Sequence, residues 1–114
     1  MNRKTMIRYP DGIREYDEKI EAEIADEIYE AMQAIGGENR DMADELAQVV
    51  TTCLQEGKFG VEIRAEMPIG DVRDVVEKVL IETGHAKTAK HYILNRVRKS
   101  KEERKWVRIL LQIV

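Results

Sequence analysis

The chain has 114 residues, the size of one compact domain and too few for two. Hydrophobic residues make up 43%, charged residues 36% and aromatic residues 5%, a balance that excludes intrinsic disorder and suits a helical domain with an aliphatic core. No apolar run approaches the roughly 20 residues of a membrane span, and residues 1–5 lack the apolar stretch of a signal peptide, so a cytoplasmic location is expected. Cys53 has no second cysteine to pair with, and with only His85 and His91 beside it the chain offers no cysteine-rich zinc site. The net charge of −3 conceals a strong segregation: residues 15–48 hold 12 acids against 2 bases, whereas residues 84–108 hold 9 bases against 2 acids. Such asymmetry fits either a self-complementary fold or an anion-binding surface near the C-terminal end.

In chain order, residues 5–16 read as a hairpin. Pro10-Asp11-Gly12 forms its turn, with proline pre-setting φ and glycine supplying a positive one. From Asp17, the expected N-cap, the apolar period lengthens to that of a helix through Ile20, Ile24, Ile28, Met32 and Ile35, and Gly36-Gly37 stops it. A second helix starts near Asn39 or Asp41, buries Met42, Leu46, Val49, Val50, Cys53 and Leu54, and breaks at Gly57 and Gly60. Cys53 lies on that stripe and reads as core. Residues 61–64 alternate and suggest a short third strand. Pro68 introduces a third helix with the stripe Ile69, Val72, Val75, Val76, Val79 and Leu80, ending at Thr83-Gly84. Its β-branched residues weaken intrinsic helicity, so packing must hold it. A fourth helix is expected over about residues 85–103, with Ala86, Ala89, Tyr92, Ile93, Arg96 and Val97 on one side. Beyond it the apolar residues Trp106, Val107, Ile109, Leu110, Leu111, Ile113 and Val114 require cover, either by folding back over the bundle or by self-association.

Catalytic patterns are missing from this reading. There is no Gly-Lys-Ser phosphate loop, dinucleotide glycine fingerprint or serine elbow, Ser100 sits among lysines, and His85 and His91 read as surface or capping residues. An enzyme is not expected. Anion chemistry remains: a hairpin with Arg8 and Arg14 leads into a helix whose first turn holds Lys19, and a distant helix supplies Lys87, Lys90, Arg96 and Arg98. A helix N-terminus with added Lys or Arg holds phosphate without a glycine-rich loop, although the same bases could instead pair with the acidic first helix.

The order of elements resembles the ATP-cone family, a regulatory nucleotide-binding domain of ribonucleotide reductases and of their transcriptional repressors. The likeness covers about residues 6–100. It is carried by residues 69–84, a helix with Asp-x-Val-Glu that ends at Gly84, followed by Ala86, Ala89-Lys90, Tyr92-Ile93-Leu94, Arg96 and Arg98, and at the N-terminal end by Asp11-Gly12, Glu15, Tyr16, Asp17 and Lys19-Ile20. The family usually has Lys-Arg before Asp-Gly, where this chain has Tyr9-Pro10, and the interval from Asp11-Gly12 to Lys19-Ile20 is two residues shorter than usual. Arg8, one position earlier, is the candidate substitute for the missing phosphate contacts. Tyr9 would either cover a base ring or pack across the hairpin.

The resemblance implies an α+β fold, a four-helix bundle capped by a small sheet of about three strands that includes the hairpin. Residues 1–100 would form the domain and 101–114 an extension for packing or oligomerisation. The implied function is regulatory binding of an adenine nucleotide, ATP or dATP, with or without Mg²⁺, which converts occupancy into quaternary contacts without hydrolysis. Lys19, Arg8, Asp11 and Gly12 would meet phosphates, Lys90, Arg96 and Arg98 would add charge from the last helix, and Glu15 or Asp17 would position the sugar or the ion. The expected partner is a second copy or a larger regulated protein. Two other readings compete, an interaction module that binds no nucleotide and a basic helix binding nucleic acid through phosphates. The acidity of the remaining chain, with no aromatic stacking platform, opposes the second.

Overall fold

The computed structural model describes residues 5–58 and 66–113, with the side chains of 103–111 and 113 excepted. The architecture is α+β: strands β1 (Met6–Tyr9) and β2 (Gly12–Glu15), helices α1 (Glu18–Gln33) and α2 (Arg40–Glu56), strand β3 (Glu66–Pro68), then α3 (Ile69–Glu82) and α4 (Ala86–Ile113). α1 packs against α2 and α4, and α3 packs against the same two helices, so α2 and α4 occupy opposite corners of the bundle.

A mixed sheet of order β2-β1-β3 caps the bundle, with β1 antiparallel to β2 and parallel to β3. Paired residues in adjacent strands share a face and neighbours along a strand alternate. Ile7 pairs with Met67, and both are buried to within 1% exposure, which defines the inner face. Tyr9, two residues on, and Arg14, the β2 partner of Ile7, share that face, whereas Met6, Arg8, Ile13, Glu15 and Glu66 lie on the other.

The helices begin and end by local chemistry. Asp17 Oδ1 accepts from the Ile20 amide at 3.0 Å, and Asn39 Oδ1 accepts from the Met42 amide at 3.0 Å, the N-cap bonds of α1 and α2. α1, α2 and α3 share one C-terminal device. Gly36, Gly57 and Gly84 take φ values of 83°, 67° and 83°, and the next amides donate back to Met32, Cys53 and Leu80. Only glycine enters that left-handed region without a steric cost, which explains why the three apolar stripes stop where they do.

The core joins Ile20, Ile24, Ile28 and Met32 of α1 to Leu46, Val50, Cys53 and Leu54 of α2 and to Val72, Val75, Val76, Val79 and Leu80 of α3. Ala89 and Tyr92 extend it onto α4. Several expected positions depart from this. Ile35 is 43% exposed because α1 ends two residues earlier and the chain turns through Gly36. Val49 is 41% exposed, at the margin of a face centred on Ala43, Ala47 and Val50. Ala86, Ile93 and Val97 lie outside: α4 buries Thr88, Ala89 and Tyr92, so its inner face is rotated from the expected apolar side.

The expected strand at 61–64 lies outside the described residues. The third strand of the sheet is Glu66–Pro68, where Pro68 closes an edge strand and its extended backbone opens α3. The fourth helix does not stop near residue 103 but runs to Ile113 as one element, since nothing between Ala86 and Ile113 is glycine or proline. The backbone of the apolar tail therefore prolongs α4, with no reversal over the bundle.

The cap of α2 offers a direct check. Asn39→Ala removes the acceptor for the Met42 amide and should cost about 1 kcal/mol in urea unfolding, while Asn39→Asp should cost little.

Candidate functional site

The inner face of the hairpin meets the bundle where α1, α3 and α4 come together. Arg14 reaches from β2 to α1, where its two terminal guanidinium nitrogens donate to the Glu23 carboxylate at 3.0 and 3.2 Å. This bond holds Arg14 firmly protonated, and its guanidinium lies 5.4 Å from the centroid of the Tyr9 ring. Burial pushes the Tyr9 phenol above its ordinary range, and Arg14, Glu23, Glu27 and Arg73 all act on it.

Glu27, one turn further along α1 from Glu23, is the centre of this region. Its carboxylate is 3.6 Å from Lys99 Nζ on α4, with only 26% of the side chain exposed. Burial raises its carboxyl above the ordinary glutamate value of 4.5, outweighing the downward pull of Lys99 and Arg73, while Glu23 adds to the rise. Tyr92 of α4 is 3% exposed, and its phenol is pushed far up by burial and by the Glu27 charge. Two tyrosines, two glutamates and the cations Arg14, Arg73 and Lys99 thus converge from the hairpin and three helices.

A second polar link holds the base of the hairpin. The Tyr16 amide donates to Thr5 O at 2.7 Å, and the Tyr16 and Thr51 hydroxyls are 2.6 Å apart. Thr51 donates to Glu21 Oε1 at 2.8 Å. A chain from Tyr16 through Thr51 to Glu21 follows, joining hairpin, α2 and α1, and burial pushes the Tyr16 phenol up to about 12.

The residues singled out from sequence divide among several surroundings. Tyr9 and Gly12 are on the inner sheet face. Arg8 and Glu15 are on the outer one, where Arg8 donates to Glu66 at 2.8 Å. Asp11 sits exposed in the turn, Asp17 caps α1, and Lys19 is exposed in the first turn of α1 without an ion pair among the described residues. Arg96 faces α3. It donates to Asp74 at 2.6 Å, Glu77 at 2.7 Å and the Gly70 carbonyl at 3.2 Å, which makes it a latch between α3 and α4. Arg98 reaches Glu30 of α1 at 3.4 Å, and Lys90 is exposed. The pairs of Lys99 and Arg98 with α1 show the basic segment meeting part of the acidic one.

Glu23, Glu27, Arg73 and Lys99 escaped the sequence reading. On α1 and α3 the available signal is a charge beside the apolar stripe rather than opposite it: Glu27 adjoins Ile24 and Ile28, and Arg73 adjoins Val72 and Val76. No helix among the described residues is long and apolar enough to cross a membrane, and none of their His, Cys, Asp and Glu side chains cluster as a metal-holding group.

A family model described as the ATP cone domain matches residues 10–101, from the hairpin turn into α4. That span is most of the chain, and the chain belongs to this family. No curated protein matches it. ATP cones are regulatory nucleotide-binding domains rather than catalytic ones.

The Glu27 environment makes stability pH-dependent. With its folded value raised, the folded chain binds this proton more tightly than the unfolded chain does. The stability so gained is complete below about pH 4 and is lost as pH rises through the folded value. Glu27→Gln removes the titration, so its stability relative to the parent chain should climb between about pH 4 and 7 in urea unfolding. A difference that stays constant with pH would contradict the raised value.

Proposed function

We propose that this member of the ATP-cone family senses ATP or dATP in the cytoplasm, binding it between the inner face of the hairpin and the sides of α1, α3 and α4 that meet it. The observation that carries the reading is the convergence of Arg14, Arg73 and Lys99 with Tyr9 at a junction of four elements. Three cations suit a polyphosphate, and a partly exposed tyrosine ring suits the flat face of a base. Lys19, with its charge uncommitted among the described residues, adds a phosphate contact at the first turn of α1. Asp11 and Gly12 would flank the entrance, and Asp17 at the N-cap of α1 would be nearer the sugar or a Mg²⁺ ion accompanying the phosphates than Glu15, which lies on the outer sheet face. Arg8 and Arg98 supply long-range positive potential, Lys90 contributes only from a distance, and Arg96 acts by fixing α4 against α3.

The mechanism follows from the ion pairs. Glu23 and Glu27 are internal anions that hold Arg14 and Lys99 in the absence of ligand. Phosphate oxygens compete for the same cations and offer stronger charge-assisted bonds. Binding therefore loosens the hairpin from α1 and α4 from α1 while tying both to the nucleotide. A change at the α1–α4 contact alters the surface that α4 presents, and in this way occupancy would be converted into contacts with a second copy or a larger regulated protein. No chemical step on the nucleotide is involved.

Calorimetric titration of ATP, dATP, ADP and GTP with Mg²⁺ tests the reading. The triphosphates of adenine should bind and GTP should bind more weakly. Absence of binding near millimolar concentration would leave a domain that acts through protein contacts alone. Lys19→Ala should weaken nucleotide binding by about 1–3 kcal/mol and leave thermal stability without ligand almost unchanged. An unchanged affinity would remove Lys19 from the site.

A further inference from the structure

The outward face of α4 carries a pattern that the core does not use and that the proposed nucleotide site engages only through the distant charge of Lys90. Lys87, Lys90, Leu94, Val97 and Lys101 recur at alternating intervals of three and four residues, the spacing of one stripe on a helix. All five are exposed, Leu94 at 55% and Val97 at 48%, on the side opposite Ala89 and Tyr92. The stripe has an apolar centre with bases at both ends.

The outward face of α2 has the opposite charge in the same arrangement. Asp41, Glu45, Val49, Thr52 and Glu56 are spaced by three or four residues, and four of the five are exposed polar or acidic side chains. Val49, 41% exposed, and the Thr52 methyl form the centre, with acids at both ends. Each stripe is about 21–22 Å long at 1.5 Å per residue, so centre meets centre while the charged ends oppose one another.

We propose that these two faces are complementary halves of a head-to-tail contact between copies of this chain, α4 of one docking on α2 of the next. Within one chain the faces cannot meet, because α2 and α4 occupy opposite corners with α1 and α3 between them. For the same reason two copies cannot satisfy both contacts at once, and the assembly grows head to tail instead of closing as a two-fold dimer. A single helix-on-helix contact falls below the roughly 1,200 Å² of a stable interface, so the association is weak. Its charged ends make it weaken further as salt screens them. The contact stands on surface chemistry alone and is independent of the nucleotide reading.

Sedimentation velocity without nucleotide, from about 10 μM to about 1 mM, tests it, and the expected result is a rising weight-average mass at low salt that falls back as salt is added. L94E/V97E spoils the α4 face and keeps the α2 face; E45K/E56K does the reverse. Each variant alone should associate at least tenfold more weakly than the parent chain. Their equimolar mixture should form a one-to-one pair that grows no further. Circular dichroism verifies folding, and L94Q/V97Q replaces the first variant if reversal of charge costs helicity. A parent chain that stays monomeric throughout overturns the proposal. So does E45K/E56K that still associates by itself, which would mean α4 pairing with α4, and so does a mixture that forms no pair.

Discussion

Parallel pairing of Ile7 with Met67 decides where the charged groups of the hairpin go. With these two side chains buried under the sheet, alternation sends Tyr9 and Arg14 toward the helices and Arg8, Glu15 and Glu66 toward water. A register shifted by one residue would exchange the two sets and bury Arg8 in place of Ile7. The hydrophobic requirement is therefore what aims the functional groups. It also explains why Arg8, the nearest replacement in sequence for the family's basic pair, bonds to the neighbouring strand, while Arg14 on the other strand faces the bundle.

α4 is held by a different balance of forces. Its inner face offers Ala89, Tyr92 and Thr88 but few large aliphatic side chains, and polar contacts supplement them: Arg96 to Asp74 and Glu77, Lys99 to Glu27, and Arg98 to Glu30. The exposed Arg98 pair contributes little, on the scale of a few tenths of a kcal/mol. The Arg96 latch is shielded on the Glu77 side and accepts a third partner in the Gly70 carbonyl, so it fixes geometry more effectively. A helix secured this way can shift when charges change nearby, whereas the interface of α1 with α2, built from isoleucine, leucine and valine, cannot shift without opening voids.

Much of this fold is legible in the sequence because its signals are local. Pro10-Asp11-Gly12, the N-cap Asp17 and the glycines after α1, α2 and α3 each act over a few residues, and the structure places turns and helix ends at those points. The phase of α4 was legible only in part. Ala89, Tyr92 and Arg96 of the expected side do face the bundle, but Ile93 and Val97 point outward and Thr88 packs in their stead, since small side chains permit close approach and Arg96 needs its carboxylates on α3. Long-range pairing is the other gap: nothing local states that β3 begins at Glu66 or that Arg14 will find Glu23. The charges around Glu27 were likewise hidden, because a glutamate beside an apolar stripe looks like any solvated one until the neighbouring helices are in place.

The uninterrupted course of α4 has a mechanical consequence. From Arg96, the last firm attachment to α3, to Ile113 the helix extends about 26 Å. A tilt of about 10° around that fulcrum moves the far end by about 4–5 Å while displacing the Arg96 region hardly at all. The helix is thus a lever arm on which Lys99, paired with Glu27, sits close to the fulcrum while the far end reaches past the family-matched span. Small electrostatic adjustments beside the fulcrum become displacements the size of a side chain at the far end, with no hinge and no unfolding required.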